Sequence, residues 1–196
     1  GACKGVVETR VKEGENLKND LISKLDGMLE HVDYISSRSP EIIKEYLSSD
    51  KRILDIDTGG GEFLLTLGHP YNMTSATEAY PPNVKLCKNT LVPLGINFRE
   101  AVDYANLPFE DDSFDIVINR HGAYDISELK RILKKGGVFI TQQVGEENDR
   151  ELVELLCPNT APKFKGWNLQ NQISGFEQHG FDILKRDEHF CPIEFY

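Results

Sequence analysis

The spacing of apolar side chains predicts that the first quarter of the chain is helical. Between residues 17 and 35, apolar residues recur at every third or fourth position, which is the period of one helix face. A second, short helix is predicted to begin at Pro40 with Ser39 as its N-cap, because proline suits the first helical position. Residues 1–50 are therefore expected to form an N-terminal helical segment.

From Lys51 onward, short apolar runs typical of strands alternate with helical stretches. This alternation predicts an α/β fold of three layers, a mostly parallel sheet with helices on both faces. The strands are expected at 52–57, 73–78, 96–102, 114–119, 137–144 and 181–190. The helices are expected at 62–67, 83–92, 125–134, 147–156 and 168–179.

Local chemistry predicts several of these boundaries. Asp125 with Glu128 three residues later resembles a capping box, so a helix is expected to begin there. Basic residues ahead of Gly136-Gly137 predict that this helix ends in a left-handed cap before the fifth strand. Only residues 103–113 separate the third and fourth strands, which is too short a stretch for a full crossover helix.

The first strand ends in an acidic, glycine-rich stretch, Asp55-Ile56-Asp57-Thr58-Gly59-Gly60-Gly61. Glycine permits positive φ and leaves no side chain between the backbone and a ligand, as in nucleotide-binding loops of parallel sheets. Leu64 stands where a dinucleotide loop requires a small residue, and no Lys-Ser or Lys-Thr follows as in a P-loop. A loop without a basic residue suits a ligand that carries positive charge and lacks phosphates.

The negative net charge of the chain limits which partners it is expected to bind. Lys and Arg number 22 against 32 Asp and Glu, which gives a formal net charge of −10. This charge opposes nonspecific attraction to a phosphate backbone or an anionic membrane, so nucleic acid is a disfavoured partner.

No stretch approaches about 18 uninterrupted apolar residues, and the first residues lack the features of a secretory signal. A cytoplasmic protein without a membrane partner is expected.

Neither the cysteines nor the histidines have the spacing of metal ligands. The four cysteines lie far apart, so reduced thiols are expected rather than a disulfide or a zinc site. They are Cys3, Cys87, Cys157 and Cys191. The spacing of His31, His69, His179 and His189 likewise predicts no metal site.

Further motifs follow the glycine-rich stretch in a consistent order. They are Thr77-Glu78-Ala79 at the end of strand two, Asp103 to Phe109 after strand three, Phe114 to Asn119 as strand four, and Leu133-Lys134-Lys135-Gly136-Gly137 before strand five. Together with Asp55-x-Asp57-x-Gly59-x-Gly61, they resemble the class I S-adenosylmethionine-dependent methyltransferases from Lys51 onward. The resemblance implies a Rossmann-like domain over 51–196, S-adenosylmethionine as cofactor and S-adenosylhomocysteine as product.

The resemblance also implies a role for each motif. Glu78, followed by Ala79, would accept hydrogen bonds from the two ribose hydroxyls, for which a carboxylate is well suited. Asp103 would accept from the adenine amino group, while the backbone N–H of Tyr104 would serve the ring. The other implied cofactor contacts are Asp55, Asp57, Thr58, Gly59, Gly61 and Asn119.

A structural alternative stays open for each of three carboxylates. Glu78 would cap the following helix, and Asp103 would be a solvated turn residue. Asp55 would either face the ammonium group of the cofactor or cap the helix after the glycine loop.

The chain departs from the family pattern in two places. Asp57 stands where the family has its first glycine, so a side chain occupies a place where the backbone passes close to the ligand. The Asp57 side chain either points away and reshapes the turn, or it weakens cofactor binding.

The second departure is the number of strands. The family sheet has seven strands, whereas the chain ends after the sixth predicted one. The seventh strand is therefore expected to be missing, and the domain over 51–196 to be incomplete at its C-terminus.

Methyl transfer from a sulfonium is an in-line displacement, which an enzyme promotes by aligning the nucleophile and excluding water. An alcohol or phenol acceptor would benefit from a nearby base. His121 is the candidate base and Tyr124 a candidate substrate contact, because this fold places acceptor-facing residues directly after strand four. A loop histidine without a catalytic part is the alternative. The family implies that residues 1–50 supply a lid or cap over the acceptor.

The sequence therefore predicts methyl transfer from S-adenosylmethionine to a small-molecule acceptor. A non-catalytic protein that binds the cofactor for regulation is the first alternative, and Asp57 motivates it. A nucleic-acid methyltransferase is the second. The net charge disfavours it, as does Asn119-Arg120-His121-Gly122 in place of an Asn-Pro-Pro-Tyr-like motif.

Overall fold

The computed structural model describes residues 10–20, 22–23, 40–148, 150–161 and 164–189. The chain divides into two compact units, Gly1–Glu41 with His189–Tyr196, and Ile42–Glu188. In the first unit, residues 10–20 and 22–23 are helical, so helix begins earlier than the predicted residue 17. Most of the predicted 17–35 helix, from residue 24 on, lies outside the described residues, as do Cys3 and Cys191.

The second unit contains a five-stranded sheet. Its strands are β1 (Ile53–Ile56), β2 (Thr74–Glu78), β3 (Asn97–Glu100), β4 (Phe114–Arg120) and β5 (Leu133–Gln142). Their order is β3-β2-β1-β4-β5, and every neighbouring pair is parallel. The first five predicted strands are therefore confirmed, and the loop between β3 and β4 contains no helix.

Five helices connect and flank these strands. They are α1 (Glu62–Thr66), α2 (Pro81–Thr90), α3 (Ile126–Ile132), α4 (Arg150–Leu156) and α5 (Leu169–Gln178), and residues 40–44 are also helical. The predicted cap is present, since the Asp125 carboxylate accepts a hydrogen bond from the backbone N–H of Glu128 at 2.8 Å. Asn168 caps α5 in the same way, through the backbone N–H of Asn171 at 3.0 Å.

Two apolar clusters cover the two faces of the sheet. On one face, Leu64 of α1 and Leu91 after α2 pack against Ile53 and Ile116. On the other face, residues of α3 and α5 pack against alternate positions of β1 and β4; they include Leu54, Val117, Leu129, Ile132 and Phe176. Because successive strand residues point to opposite faces, both faces of these central strands are buried. The predicted three-layer, Rossmann-like architecture is confirmed.

Two predictions of secondary structure were wrong. Residues 181–189 form no strand, because a strand needs a neighbour for its backbone groups and no described residues supply one. Ile183 and Leu184 of this stretch are exposed. The helix predicted to reach residue 134 ends at Ile132, and the chain enters β5 at once. Gly136 does have a positive φ of 78°. It lies in the irregular stretch of β5 before the regular register with β4 begins at Val138, instead of capping a helix.

No helix in the described ranges has both the length and the apolar character needed to cross a lipid bilayer.

Candidate functional site

The candidate site lies at the carboxyl ends of β1 and β4, where the strand order reverses. The sheet continues from β1 to β2 and β3 on one side, and from β4 to β5 on the other. Such a reversal opens a crevice in a parallel sheet, because the loops after the two strands lead to opposite faces. Asp55 is in register with Ile118, and Ile56 with Asn119. The glycine loop, residues 57–61, and the loop after β4 therefore border the same crevice.

Glu78 ends β2 and connects it to the glycine loop. The residue is 5% exposed, and its Oε2 accepts a hydrogen bond from the backbone N–H of Gly59 at 2.8 Å. Its Oε1 accepts from the backbone N–H groups of Ala79 and Tyr80, each at 2.8 Å. Asn83 Nδ2 lies 3.4 Å from Oε2, a long contact that a ligand hydroxyl can displace. Both Glu78 oxygens thus accept backbone hydrogen bonds from the turn before α2 and from the glycine loop, and the Asn83 contact is the one that a ligand hydroxyl would replace.

The glycine loop is supported from α2. The Cys87 thiol donates a hydrogen bond to the carbonyl oxygen of Gly59 at 3.1 Å. Burial raises the pKa of this thiol to about 11, so it stays protonated and able to donate. Gly61 has a φ of 87°, and a Cβ there would lie 2.7 Å from Leu91 Cδ2. Backbone conformation and packing therefore both require glycine at position 61.

Asp55 is a buried carboxylate at the end of β1. It is 3% exposed, and its Oδ2 accepts a hydrogen bond from the hydroxyl of Thr58 at 2.8 Å. Burial raises the pKa of Asp55 to about 7, although the Thr58 hydrogen bond and the Arg120 guanidinium oppose this increase. Near neutral pH the group is therefore divided between its charged and neutral forms, and a cationic ligand would favour the charged form.

Asp57 points into the crevice. Its φ of 57° lies in the left-handed region that favours glycine. Its Oδ2 accepts a hydrogen bond from the Tyr104 hydroxyl at 2.8 Å, and a Cβ on Gly122 would lie 2.5 Å from the same oxygen. Burial raises the pKa of Asp57, the bond to Tyr104 lowers it, and the charge of Glu78 raises it. Asp57 therefore contacts the loops after β3 and β4, and its effect on cofactor binding stays a prediction.

Asp103 occupies an exposed turn in the loop after β3. Its Oδ1 accepts a hydrogen bond from the backbone N–H of Ala105 at 3.0 Å. Its carbonyl oxygen accepts from the backbone N–H of Asn106 at 3.3 Å. These are the contacts of the turn alternative, and the adenine contact stays a prediction.

Asn119 ties the loop after β4 to the glycine loop. The residue is fully buried, and its Nδ2 donates to the carbonyl oxygen of Ile56 at 3.1 Å. Its Oδ1 accepts from Gln143 Nε2 at 2.6 Å, and the same Gln143 amide donates to the carbonyl oxygen of Gly122 at 3.1 Å. Both ends of the Asn119 amide are thus used inside the fold, so it shapes the crevice.

His121 and Tyr124 lie in different surroundings. His121 is exposed with a φ of 62°. Partial burial and the charge of Arg120 lower the pKa of His121, so its ring is neutral at pH 7 and able to accept a proton. The Tyr124 hydroxyl donates to Gln172 Oε1 of α5 at 2.9 Å, and its ring lies 5.1 Å from that of Phe139. Tyr124 therefore joins an aromatic cluster, and its substrate contact stays a prediction.

Arg120 is a site residue that the sequence analysis missed. Its guanidinium carbon lies 3.8 Å from the centroid of the Phe63 ring on α1. Its Nε is buried and has no hydrogen-bond partner within the described part of the chain. Alternation along β4 could have identified it, because Arg120 shares a strand face with Ile116 and Ile118, which pack on the α1 side. It places one cation in a crevice that otherwise holds carboxylates.

Residues 54–141 match the family described as a methyltransferase domain. A phthiotriol/phenolphthiotriol dimycocerosates methyltransferase of Mycobacterium leprae is 33% identical to this chain over 99 residues, which are 45% of this chain and 36% of that protein. In this relative and two from Mycobacterium ulcerans, the match covers 36–40% of the relative's length.

Two solved structures have the same fold. A chain from the complex between the Haloferax volcanii Trm112 methyltransferase activator and a methyltransferase is 23% identical, covers 72% of this chain and 66% of that chain, and has a TM-score of 0.59. An S-adenosylmethionine-dependent methyltransferase from Thermotoga maritima is 20% identical, covers 76% of this chain and 72% of that chain, and has a TM-score of 0.55. At these identities the likeness concerns the fold alone.

Proposed function

We propose that this chain is a class I S-adenosylmethionine-dependent methyltransferase that transfers the methyl group to a small-molecule acceptor, since residues 54–141 match a methyltransferase domain. The observation that carries this proposal is the buried carboxylate of Glu78 beside the glycine loop. It can accept from ribose hydroxyls and would repel a phosphate. Asp55 and Asp57 add negative charge to the crevice, which suits a cofactor with a sulfonium and an ammonium group.

The amino-acid end of the cofactor would lie between Arg120 and Asp55. The buried Nε of Arg120 has no partner among the described residues, and a carboxylate is the preferred partner of a guanidinium. Burial lowers the pKa of Arg120, and the negative charge of Asp55 opposes this decrease. The two side chains thus offer one cation and one anion close together, as a zwitterionic amino-acid group requires. Asp103 and Tyr104 would hold adenine at the other end.

His121 would act as the base for a hydroxyl acceptor. In the displacement, the acceptor oxygen forms a bond to the methyl carbon while the bond from carbon to sulfur breaks and its electron pair stays on sulfur. The acceptor proton then passes to His121, whose lowered pKa keeps the ring neutral and receptive at pH 7.

A small acceptor is favoured over nucleic acid. The formal charge of −10 opposes binding to a polyanion. The mycobacterial relatives are named as methyltransferases of phthiotriol and phenolphthiotriol dimycocerosates, and these names mention no nucleic acid.

The proposal predicts that the protein binds both S-adenosylmethionine and S-adenosylhomocysteine in titration calorimetry, and that it transfers a labelled methyl group into a metabolite extract. A parallel incubation with RNA should incorporate no label. Binding of both ligands without any transfer would favour the non-catalytic alternative. Absence of binding for both ligands would contradict the proposal.

The affinity for S-adenosylmethionine should depend on pH through Asp55. With a pKa of about 7 in the free protein, the ionised fraction of Asp55 falls about eightfold between pH 7.5 and 6. Only the ionised form can pair with the cofactor ammonium. Because α-amino groups titrate near 7.7–8.0, about 60–75% of the ammonium is charged at pH 7.5 and almost all of it at pH 6. The affinity should therefore fall about five- to sixfold between pH 7.5 and 6.

Asp55→Asn is the matched variant, because its amide oxygen can still accept from Thr58. We expect weak binding that no longer changes between pH 7.5 and 6.

The same variant should change how stability depends on pH. The folded-state pKa of Asp55, about 7, is raised above its unfolded value of about 3.9. Between these two pH values the native state holds a proton that the unfolded state has lost, so the stability that Asp55 contributes falls as pH rises. The variant should therefore unfold at a higher temperature than the wild type at pH 7.5 and at a similar one at pH 4. A pH-independent wild-type affinity would refute the assigned role.

A further inference from the structure

Asp57 brings a negative charge to the centre of the crevice. Its carboxylate is hydrogen-bonded to Tyr104, in the loop after β3. The same oxygen faces Gly122, in the loop after β4, where any Cβ would collide with it. The carboxylate, directly after β1, therefore contacts both the loop after β3 and the loop after β4.

This carboxylate is incompletely satisfied. Its Oδ1 is buried and has no hydrogen-bond partner among the described residues, which is rare for a buried oxygen and costs folding free energy. Burial raises the pKa of Asp57, and the like charge of Glu78 raises it further. Arg120, the cation of the crevice, acts on Asp55. Asp57 thus keeps one buried oxygen to which a positively charged group would supply the missing partner.

Under the proposed function, on which this inference rests, the nucleoside lies beside Glu78 and Tyr104, and the acceptor approaches along the loop that contains Gly122. The sulfonium is the part of the cofactor that joins these two ends. Asp57 contacts the loops at both of these ends, so its carboxylate is placed beside the sulfonium.

We propose that Asp57 recognises the positive charge of the sulfonium and makes the site selective for S-adenosylmethionine over S-adenosylhomocysteine. Methyl transfer leaves the electron pair on sulfur and converts the sulfonium to a neutral thioether. The attraction to Asp57 disappears in that step, so the product is released more easily than the cofactor. A residue that replaces a loop glycine thereby becomes a specificity determinant.

The test is titration calorimetry with both ligands at pH 7.5 on the wild type and Asp57→Asn. The asparagine has the same shape and keeps an oxygen for Tyr104, so only the charge is removed. We expect the Kd for S-adenosylmethionine to rise about tenfold and the Kd for S-adenosylhomocysteine to change less than twofold. In turnover assays the loss should fall on KM, because the charge stabilises the bound sulfonium more than the transition state.

Asp112→Asn is the matched control. Asp112 is an exposed loop aspartate that also has a positive φ, 51°, and its removal changes the net charge equally outside the crevice. It should alter neither Kd. Equal weakening of both ligands by Asp57→Asn, or tighter binding of S-adenosylmethionine, would overturn the inference. If the wild type binds neither ligand, the proposed function itself fails, so the two failures are distinguishable.

Discussion

Replacing Glu78 by Gln should weaken the binding of S-adenosylmethionine by at least about a hundredfold. Two charge-assisted hydrogen bonds to the ribose hydroxyls would be lost, each worth about 1.5–3 kcal/mol, and about 1.4 kcal/mol corresponds to a factor of ten. The amide group of glutamine would also meet backbone N–H donors at Gly59 or Ala79, where the carboxylate now accepts. Calorimetry should show equal losses for S-adenosylhomocysteine, which has the same ribose.

Glu100→Gln provides the matched control for this experiment. Glu100 is in register with Glu78 at the end of the neighbouring strand, but it is exposed and pairs with Lys88. We expect no change in cofactor affinity for this variant. If Glu78→Gln lowered the unfolding temperature while the affinity stayed within twofold of the wild type, Glu78 would be a helix cap and the ribose contact would be refuted.

Gly61→Ala should destabilise the fold more than any other single-methyl change in the glycine loop. A non-glycine residue at a φ of 87° costs about 1–2 kcal/mol, and overpacking against the fully buried Leu91 adds about 1–3 kcal/mol. For a domain of this size, 1 kcal/mol corresponds to about 2–4 °C in Tm. Thermal unfolding should therefore occur roughly 5–15 °C lower.

Gly95→Ala separates the two contributions. Gly95 has nearly the same φ, 92°, but its Cβ would meet nothing within 4 Å. We expect it to lower Tm by about half as much or less, since only the backbone term remains. A loss as large as that of Gly61→Ala would show that packing against Leu91 contributes nothing.

Much of the fold could be predicted from local patterns. The apolar alternation of β1 and β4 predicted buried strands because each strand face must meet a layer of helices, and both faces do. The strand at 181–190 was wrong for a related reason. An apolar run does not show whether another strand is available to pair with it, and residues 181–189 pair with no strand in the described ranges.

The site was only partly predictable. The motifs correctly predicted that Glu78 lies beside the glycine loop, because the spacing between them is that of one βα unit of the sheet. The stacking of Arg120 on Phe63 joins residues far apart in the chain. So does the bond of Tyr104 to Asp57. Nothing in the local sequence encodes such pairs.

The sequence by itself determined the order of strands and helices, the glycine loop and the chemical identity of its carboxylates, because periodicity and motif spacing are properties of neighbouring residues. The tertiary structure alone decided which way Asp57 points, that burial holds the pKa of Asp55 near 7, and that Arg120 shares their crevice. These features arise from contacts between β1, β3 and β4 and from the exclusion of water around them, which depend on the assembled sheet.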